Sequence, residues 1–268
     1  MINWALISLA LLFGVTALIA SAFSARPPLP VTNEEFDARL KSIQNVDEAV
    51  AYVQGMNPRN DPRSLADAAD EFVRRRFVHG YSELTPAQNW LAYLAGFLWY
   101  DLKSPVLPED ILKFRRAACS QQSIIFQAIV RKLGLDVRSV RLVGHFVSAV
   151  KIGDDWRVYD ANREIEPRSY PLSLMLEGDP RIQQIYNVAY KGFNVRAQAV
   201  EREIVPSAIN ANPAPQGAFF QRVTYFFSHF GWALFLGLFL IVNTARAFVS
   251  ARNVPAGREH PEAPTPAE

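Results

Sequence analysis

Apolar residues are distributed along this chain in three patterns, continuous, helical and alternating, and each predicts a different element. The continuous ones lie near the ends. From Ile2 to Phe23 no residue carries a charge, which is roughly the 20 residues a helix needs to cross a bilayer core. A second stretch, Val223 to Val242, contains Thr224, Ser228 and His229 but no formal charge, and has a similar length.

Helical spacing dominates the first half of the region between them. Thr32-Asn33-Glu34-Glu35 has the form of a capping box and is followed by Phe36, Leu40 and Ile43. A short helix is expected near Asp47 to Gln54. A longer one is expected from Ser64 to Phe77, with Leu65, Ala68, Phe72 and Phe77 on one side. Thr85-Pro86 opens an aromatic helix reaching about Leu102, whose run Trp90 to Tyr100 is too short to span and is expected in the core. From Cys119, the residues Ile124, Ile125, Ala128, Ile129 and Leu133 form a stripe, Arg131 and Lys132 fall in the last turn, and Gly134 suits the stop.

Beyond Gly134 the pattern becomes β-like: Val137 to Val143, His145 to Ile152 and Trp156 to Tyr159, the last two separated by Gly153-Asp154-Asp155. A two-residue turn at Gly153-Asp154 would pair Ile152 with Asp155 and therefore Val147 with Asp160. His145 then shares a face with Asp160 as its diagonal neighbour, whereas a one-residue slip would separate them. Tyr170 to Val205 is mixed, with short helices and a further strand expected. Together these patterns predict an α+β domain with N-terminal helices and a small antiparallel sheet.

The chain has 268 residues, half of them apolar, a net charge of +2 and one cysteine. Two end stretches and one core account for that composition. The expected organisation is an anchor at 1–24, a domain at 31–205, a Pro-, Ala- and Asn-rich linker at 206–218, a transmembrane helix at 219–245 and a disordered cytoplasmic tail at 246–268. Arg26-Pro27-Pro28-Leu29-Pro30 makes a stiff spacer. Lack of a basic residue before the first stretch favours an uncleaved anchor over a leader, although the small residues near Ser21 to Ala25 permit cleavage. For the second stretch the alternative is a buried core helix. Arg246, Arg252 and Arg258 follow it, so the tail is expected in the cytoplasm and the domain on the opposite side.

The small net charge argues against nucleic acid as a partner, and Arg74-Arg75-Arg76 is expected to be a solvated helix face. A single cysteine forms no internal disulfide and can persist as a thiol in an oxidising compartment. Cys119 opens a helix, where unpaired N–H groups favour a thiolate and its own N–H can face an oxyanion. His145 and Asp160 on one face supply a base and the group that orients it. His79 is expected to have a loop role beside Gly80, His229 to be a satisfied polar group in a membrane helix, and Trp156 to lie in the core. No metal cluster or phosphate-binding glycine loop is present in the sequence, so no cofactor is expected.

The segment from Cys119 to Asp160 resembles the transglutaminase-like superfamily, which has a papain-like fold. The likeness rests on a cysteine that opens a helix ending in Leu133-Gly134, on Gly144-His145, and on Trp156-Arg157-Val158-Tyr159-Asp160. It departs in Ala118 and Ser120, where the family often has glycines, and in Phe146-Val147, where an Ala-Trp pair is common. The resemblance implies Cys119 as nucleophile, His145 as base and then acid, Asp160 as its orienting partner, and a thioester intermediate. Water would make such an enzyme a protease or amidase and an amine would make it a transglutaminase. It also implies, together with the anchors, action on proteins or peptides of a bacterial envelope, from the inner membrane and facing the periplasm or exterior. A membrane-protein partner for the spanning helices is a further expectation. Gln88, Trp90 and Gln121 are candidates for the second oxyanion donor. The competing readings are a non-catalytic binding or assembly module that keeps the fold, and a soluble secreted hydrolase with a cleaved leader.

Overall fold

The structure is a computed structural model that describes residues 2–23, 36–57, 61–163, 165–190 and 192–252. The proline spacer, the capping box at 32–35 and the tail beyond 252 lie outside the described residues. In chain order the elements are α1 (Ile2–Ser21), a 3-10 turn (Ala38–Ser42), α2 (Val46–Met56), α3 (Pro62–Arg76), β1 (Val78–His79), α4 (Pro86–Ala95), a second 3-10 turn (Tyr100–Lys103), α5 (Pro108–Ile111), β2 (Arg116–Ala117) and α6 (Cys119–Lys132). There follow β3 (Val137–Leu142), β4 (His145–Ile152), β5 (Asp155–Tyr159), β6 (Ser169–Pro171), α7 (Leu172–Leu176), α8 (Pro180–Ala189), α9 (Val195–Val200), β7 (Val205–Pro206) and α10 (Pro215–Arg252).

Five strands form an antiparallel sheet in the order β6-β5-β4-β3-β7. The β4–β5 hairpin has the expected register, with Ile152 opposite Asp155 and Ser148 opposite Tyr159. Gly153 at φ +62° provides the left-handed residue that the tight turn requires. Both faces of the sheet are covered, so β4 is buried at most positions instead of alternating. Val137, Val150 and Tyr159 pack against Phe72, Ile125 and Phe126 of α3 and α6. Val147, Ala149 and Val158 pack against Met175, Ile182 and Tyr186 of α7 and α8. Trp156, expected in the core, is half-buried on this second face, with the Arg138 guanidinium 3.7 Å above its ring.

A polar knot fixes α6 on the sheet. The Nε2 of Gln127, fully buried, lies 3.1 Å from the hydroxyls of Ser123 in its own helix and of Ser139 and Ser148 in β3 and β4, and its Oε1 accepts the Ser139 hydroxyl at 3.2 Å. Ser123 and Ser148 also share a hydrogen bond of 2.6 Å. Every member has a partner inside the protein, which makes such a network rigidifying.

Four segments depart from the sequence pattern. The helix expected through Phe36, Leu40 and Ile43 is only a 3-10 turn within the described residues, because the chain there is tied to α3: Asp37 N–H donates to the Arg75 carbonyl at 2.8 Å. Arg74, Arg75 and Arg76 are not a solvated face. Arg74 pairs with Asp70 at 3.1 Å, Arg75 with Asp37 at 3.2 Å, and Arg76 is buried, donating to the carbonyls of Ile43, Leu112 and Phe114. Residues 207–210, expected as linker, run along the outer edge of β3, where Ser207 N–H donates to Ser139 O at 2.8 Å and Asn210 N–H to Val137 O at 2.7 Å. Finally, the aromatic helix stops at Ala95 and packs on α1 and α10 instead of the domain core. Its polar side chains explain the choice: Asn89 donates to Thr224 at 2.9 Å and Trp90 to the Ser228 carbonyl at 3.1 Å.

Helices α1 and α10 are long and apolar enough to cross a membrane and face mostly outward, which is not the pattern of buried core helices. They pack together through Phe13, whose ring lies 5.2 Å from that of Phe235, and through Gly14, against Trp232. Gly231 lets Phe13 approach; a Cβ there would lie 2.6 Å from the ring. His229 bonds the Tyr225 carbonyl at 3.0 Å and stacks on its ring, so its polarity is satisfied within α10.

Arg76 carries a charge into the interior, where it donates to backbone carbonyls and lies 4.8 Å from the Phe77 ring centroid, so its loss strands acceptors. Arg76→Met is expected to lower stability by about 3 kcal/mol, read as a fall of roughly 6–12 °C in the unfolding midpoint by circular dichroism of the full chain in detergent. An unchanged midpoint contradicts this role.

Candidate active site

Leu142 lies opposite His145 across the β3–β4 turn, so the imidazole leaves the first residue of β4, at the end of the sheet. Asp160 is the residue immediately after β5. Continuing the ladder past Ser148 and Tyr159 sets Asp160 against Val147, with His145 as its diagonal neighbour. The side chains close that diagonal: Nε2 of His145 is 2.6 Å from Oδ2 of Asp160, with the two side chains 1% and 0% exposed. The second carboxylate oxygen accepts the Asn162 N–H at 3.2 Å. Tyr190, Phe193 and Tyr186 enclose the imidazole at ring separations of 5.5, 5.7 and 6.3 Å.

Burial opposes a charge on this imidazole, but the Asp160 carboxylate, through charge and hydrogen bond, and then the Cys119 sulfur outweigh it and push the pKa up to about 10. His145 is therefore an imidazolium at neutral pH. With Nε2 held by Asp160, Nδ1 is the ring nitrogen left to face the thiol.

Cys119 comes from the other side of the sheet. It opens α6, which covers the face opposite to α8, and it reaches His145 beyond the end of β4. Unlike a core cysteine it is half-buried. The local sequence keeps the helix start open. Asn45 and Asp61 cap α2 and α3 with their side chains, whereas α6 begins after Ala118, which has no side-chain acceptor for the first N–H groups. Gln121 strengthens the turn without closing it: its Oε1 accepts the Ala118 N–H at 3.0 Å and the Ser82 hydroxyl at 3.1 Å, and its Nε2 donates to the Pro105 carbonyl at 3.0 Å.

Those bonds commit Gln121 to structure. Gln88 caps α4 by accepting the Thr85 N–H at 2.9 Å, and Trp90 is bonded to α10. The structure thus brings Cys119, His145 and Asp160 together, and commits the donors of Gln121 and Trp90 to other partners. The N–H groups that open α6 remain as the local donors.

Several residues at the site were missed from sequence. Asn162 donates to Gln122 at 3.0 Å and bonds His79 at 2.7 Å, so it links the Asp160 turn to α6 and β1. His79 has more than a loop role, since β1 pairs with β2, the strand leading to Cys119. The available signal for Asn162 was its position two residues after Asp160, a common Asx-turn spacing. Tyr81 feels the charge of the site: burial first, then the charges of Cys119, Asp101 and Tyr190, raise its phenol above the usual range. Arg163 sits 4.7 Å over the Tyr190 ring. Among the described residues no group of three or more His, Cys, Asp and Glu side chains is placed to hold a metal ion. Comparison of the chain with known family models and with curated proteins finds no match.

The raised imidazole pKa has a sign for stability. From 6.5 in the unfolded chain to about 10 in the folded one, the group binds its proton more tightly when folded, so its contribution is complete below about pH 6.5 and lost as pH rises to about 10. The midpoint difference between the wild type and His145→Gln should therefore shrink between those pH values. A difference that stays constant across them would show that the pair does not titrate this way.

Proposed function

We propose that this chain is a membrane-anchored cysteine acyl-transfer enzyme of transglutaminase-like type that opens amide bonds in envelope proteins or peptides. The single observation that carries the reading is the His145–Asp160 pair at 2.6 Å with a half-buried Cys119 as a second hydrogen-bonding partner of the imidazole. In the reaction the Cys119 thiolate attacks the carbonyl carbon, and the oxyanion faces the first N–H groups of α6. The imidazolium then gives its proton to the leaving amine as the C–N bond breaks, leaving a thioester. Neutral His145 next takes a proton from water as hydroxide adds to the thioester carbonyl, and the C–S bond then breaks, releasing the acid and restoring the thiolate beside the imidazolium. Asp160 keeps its negative charge throughout and stabilises the imidazolium.

Support for an extracytoplasmic domain comes from α1 and α10, between which it lies in the chain, and from Arg246 and Arg252 at the far end of α10. In that topology the domain faces the periplasm or exterior, and a peptide chain is the substrate class within its reach.

The decisive experiment is to trap the acyl group on Cys119 from an envelope extract and identify the peptide after hydroxylamine release. The expected result is a hydroxylamine-labile adduct with wild type and none with Cys119→Ser. Iodoacetamide should label Cys119 in the folded chain, with His145→Ala reducing turnover of an identified substrate by about 10²- to 10⁴-fold. A thiol that reacts only after unfolding, with Cys119→Ser matching wild type in the cell, would favour the non-catalytic module.

A further inference from the structure

Helix α4 ends in a corner that no part of the described protein covers. Leu94 is 50% exposed, Phe97 72%, Leu98 93% and Trp99 67%, four large apolar side chains within six residues. The first half of the same helix is bolted to the two apolar helices. Asn89 bonds Thr224 and Ser228, Leu91 N–H donates to the Ser228 hydroxyl at 3.2 Å, and the Trp90 ring lies 5.2 Å from Phe13. Ser228 is six residues past Arg222, about 9 Å along α10. The corner is thus continuous with the outward apolar surface of α1 and α10 near their domain end.

Its rim also has the chemistry of a bilayer interface. Trp99 and Tyr100 follow the aliphatic residues, and Tyr100 shares Glu83 with Lys103, at 2.5 and 2.8 Å. The Lys103 ammonium lies 4.5 Å from the Tyr100 ring. Apolar side chains, then aromatic residues with polar tips, then a charged pair is the order met on leaving the acyl region for water.

We propose that the corner at residues 94–100 is a third membrane contact, seated in the headgroup and upper acyl region of the leaflet on the domain side. The occupant is lipid. Continuity with the two candidate spans favours lipid over a second copy of the chain, because a face aligned with lipid-facing helices meets lipid without any association step. The contact also reaches toward the domain: Tyr100 packs on Tyr81 at 5.8 Å, in the segment between β1 and α4. The inference rests on α1 and α10 spanning a bilayer and holds whether or not Cys119 is catalytic.

The test uses the full chain carrying Cys119→Ser, with one new cysteine at a time, Leu98→Cys, Leu238→Cys on α10 or Val188→Cys on α8, each labelled with NBD. The proteins are reconstituted in phosphatidylcholine–phosphatidylglycerol vesicles. Val188 is 90% exposed on the domain and reports water. The proposal expects the Leu98 and Leu238 probes to be quenched by doxyl-labelled lipid and several-fold less by aqueous iodide than the Val188 probe. Iodide quenching at Leu98 equal to that at Val188, with Leu238 still quenched by lipid, overturns the third contact and leaves the spans standing. Shielding of Leu98 from both quenchers means that protein covers the corner, which also overturns it. Water access at Leu238 removes the spans and the proposal together.

Discussion

A carboxylate and an imidazole 2.6 Å apart, both inside the protein, are the constraint around which the domain is arranged. Burying either charge alone is costly, and a pair is tolerated only where geometry and further hydrogen bonds compensate the lost water. Here the aromatic enclosure from α8 and the segment after it excludes the water, and the compensation comes from the Asn162 N–H on the carboxylate and the sulfur of Cys119. None of these works unless the β4–β5 hairpin is in register. A slip of one residue would turn His145 and Asp160 to opposite faces of the sheet, so one turn at Gly153 governs the electrostatics of a site at the other end of the hairpin.

The thiol depends on a different set of restraints, because it arrives from the opposite face. Gln127 fixes the middle of α6 on β3 and β4, Gln121 fixes its first turn to the loops at Ser82 and Pro105, and Arg76 holds the carbonyls of the turn that precedes β2. All three are polar side chains in the interior with backbone or hydroxyl partners. A purely apolar interface would allow α6 to slide by a fraction of a turn, since dispersion contacts have little directional preference. Hydrogen bonds at its start and middle remove that freedom and define where the sulfur stands.

The hairpin and the cysteine helix were legible in the sequence because each is governed by local rules: a two-residue turn sets pairing, and a stripe ending in Gly134 sets the extent of α6. The α+β class followed from them. The aromatic stretch at 90–100 was misjudged because an apolar run of that length has the same composition whether it enters a core or lies against other apolar helices; the distinction lies in Asn89 finding Thr224 and Ser228, far away in sequence. Similarly, three consecutive arginines suggest a wet surface unless their carboxylate and carbonyl partners are known, and those come from residues 37, 43, 70, 112 and 114. Tyr186 and Tyr190, one helical turn apart, look like an ordinary buried stripe; only the fold turns that stripe toward His145.

The carboxyl-terminal connection has a mechanical meaning. Residues 207–210 are laddered to β3, a Cβ added at Gly217 would lie 3.2 Å from Val106, and Gln221 within α10 bonds Ser104 and Val106 of the domain at 2.5 and 2.9 Å. Sheet, loop and helix are therefore joined by short bonds across the whole passage, without a swivel. Tilting α10 by some angle turns the domain through the same angle, so the protein behaves at this end as a lever with a fixed elbow: were α10 to span a bilayer as proposed, lipid thickness and curvature, by setting its tilt, would also set the direction in which Cys119 faces.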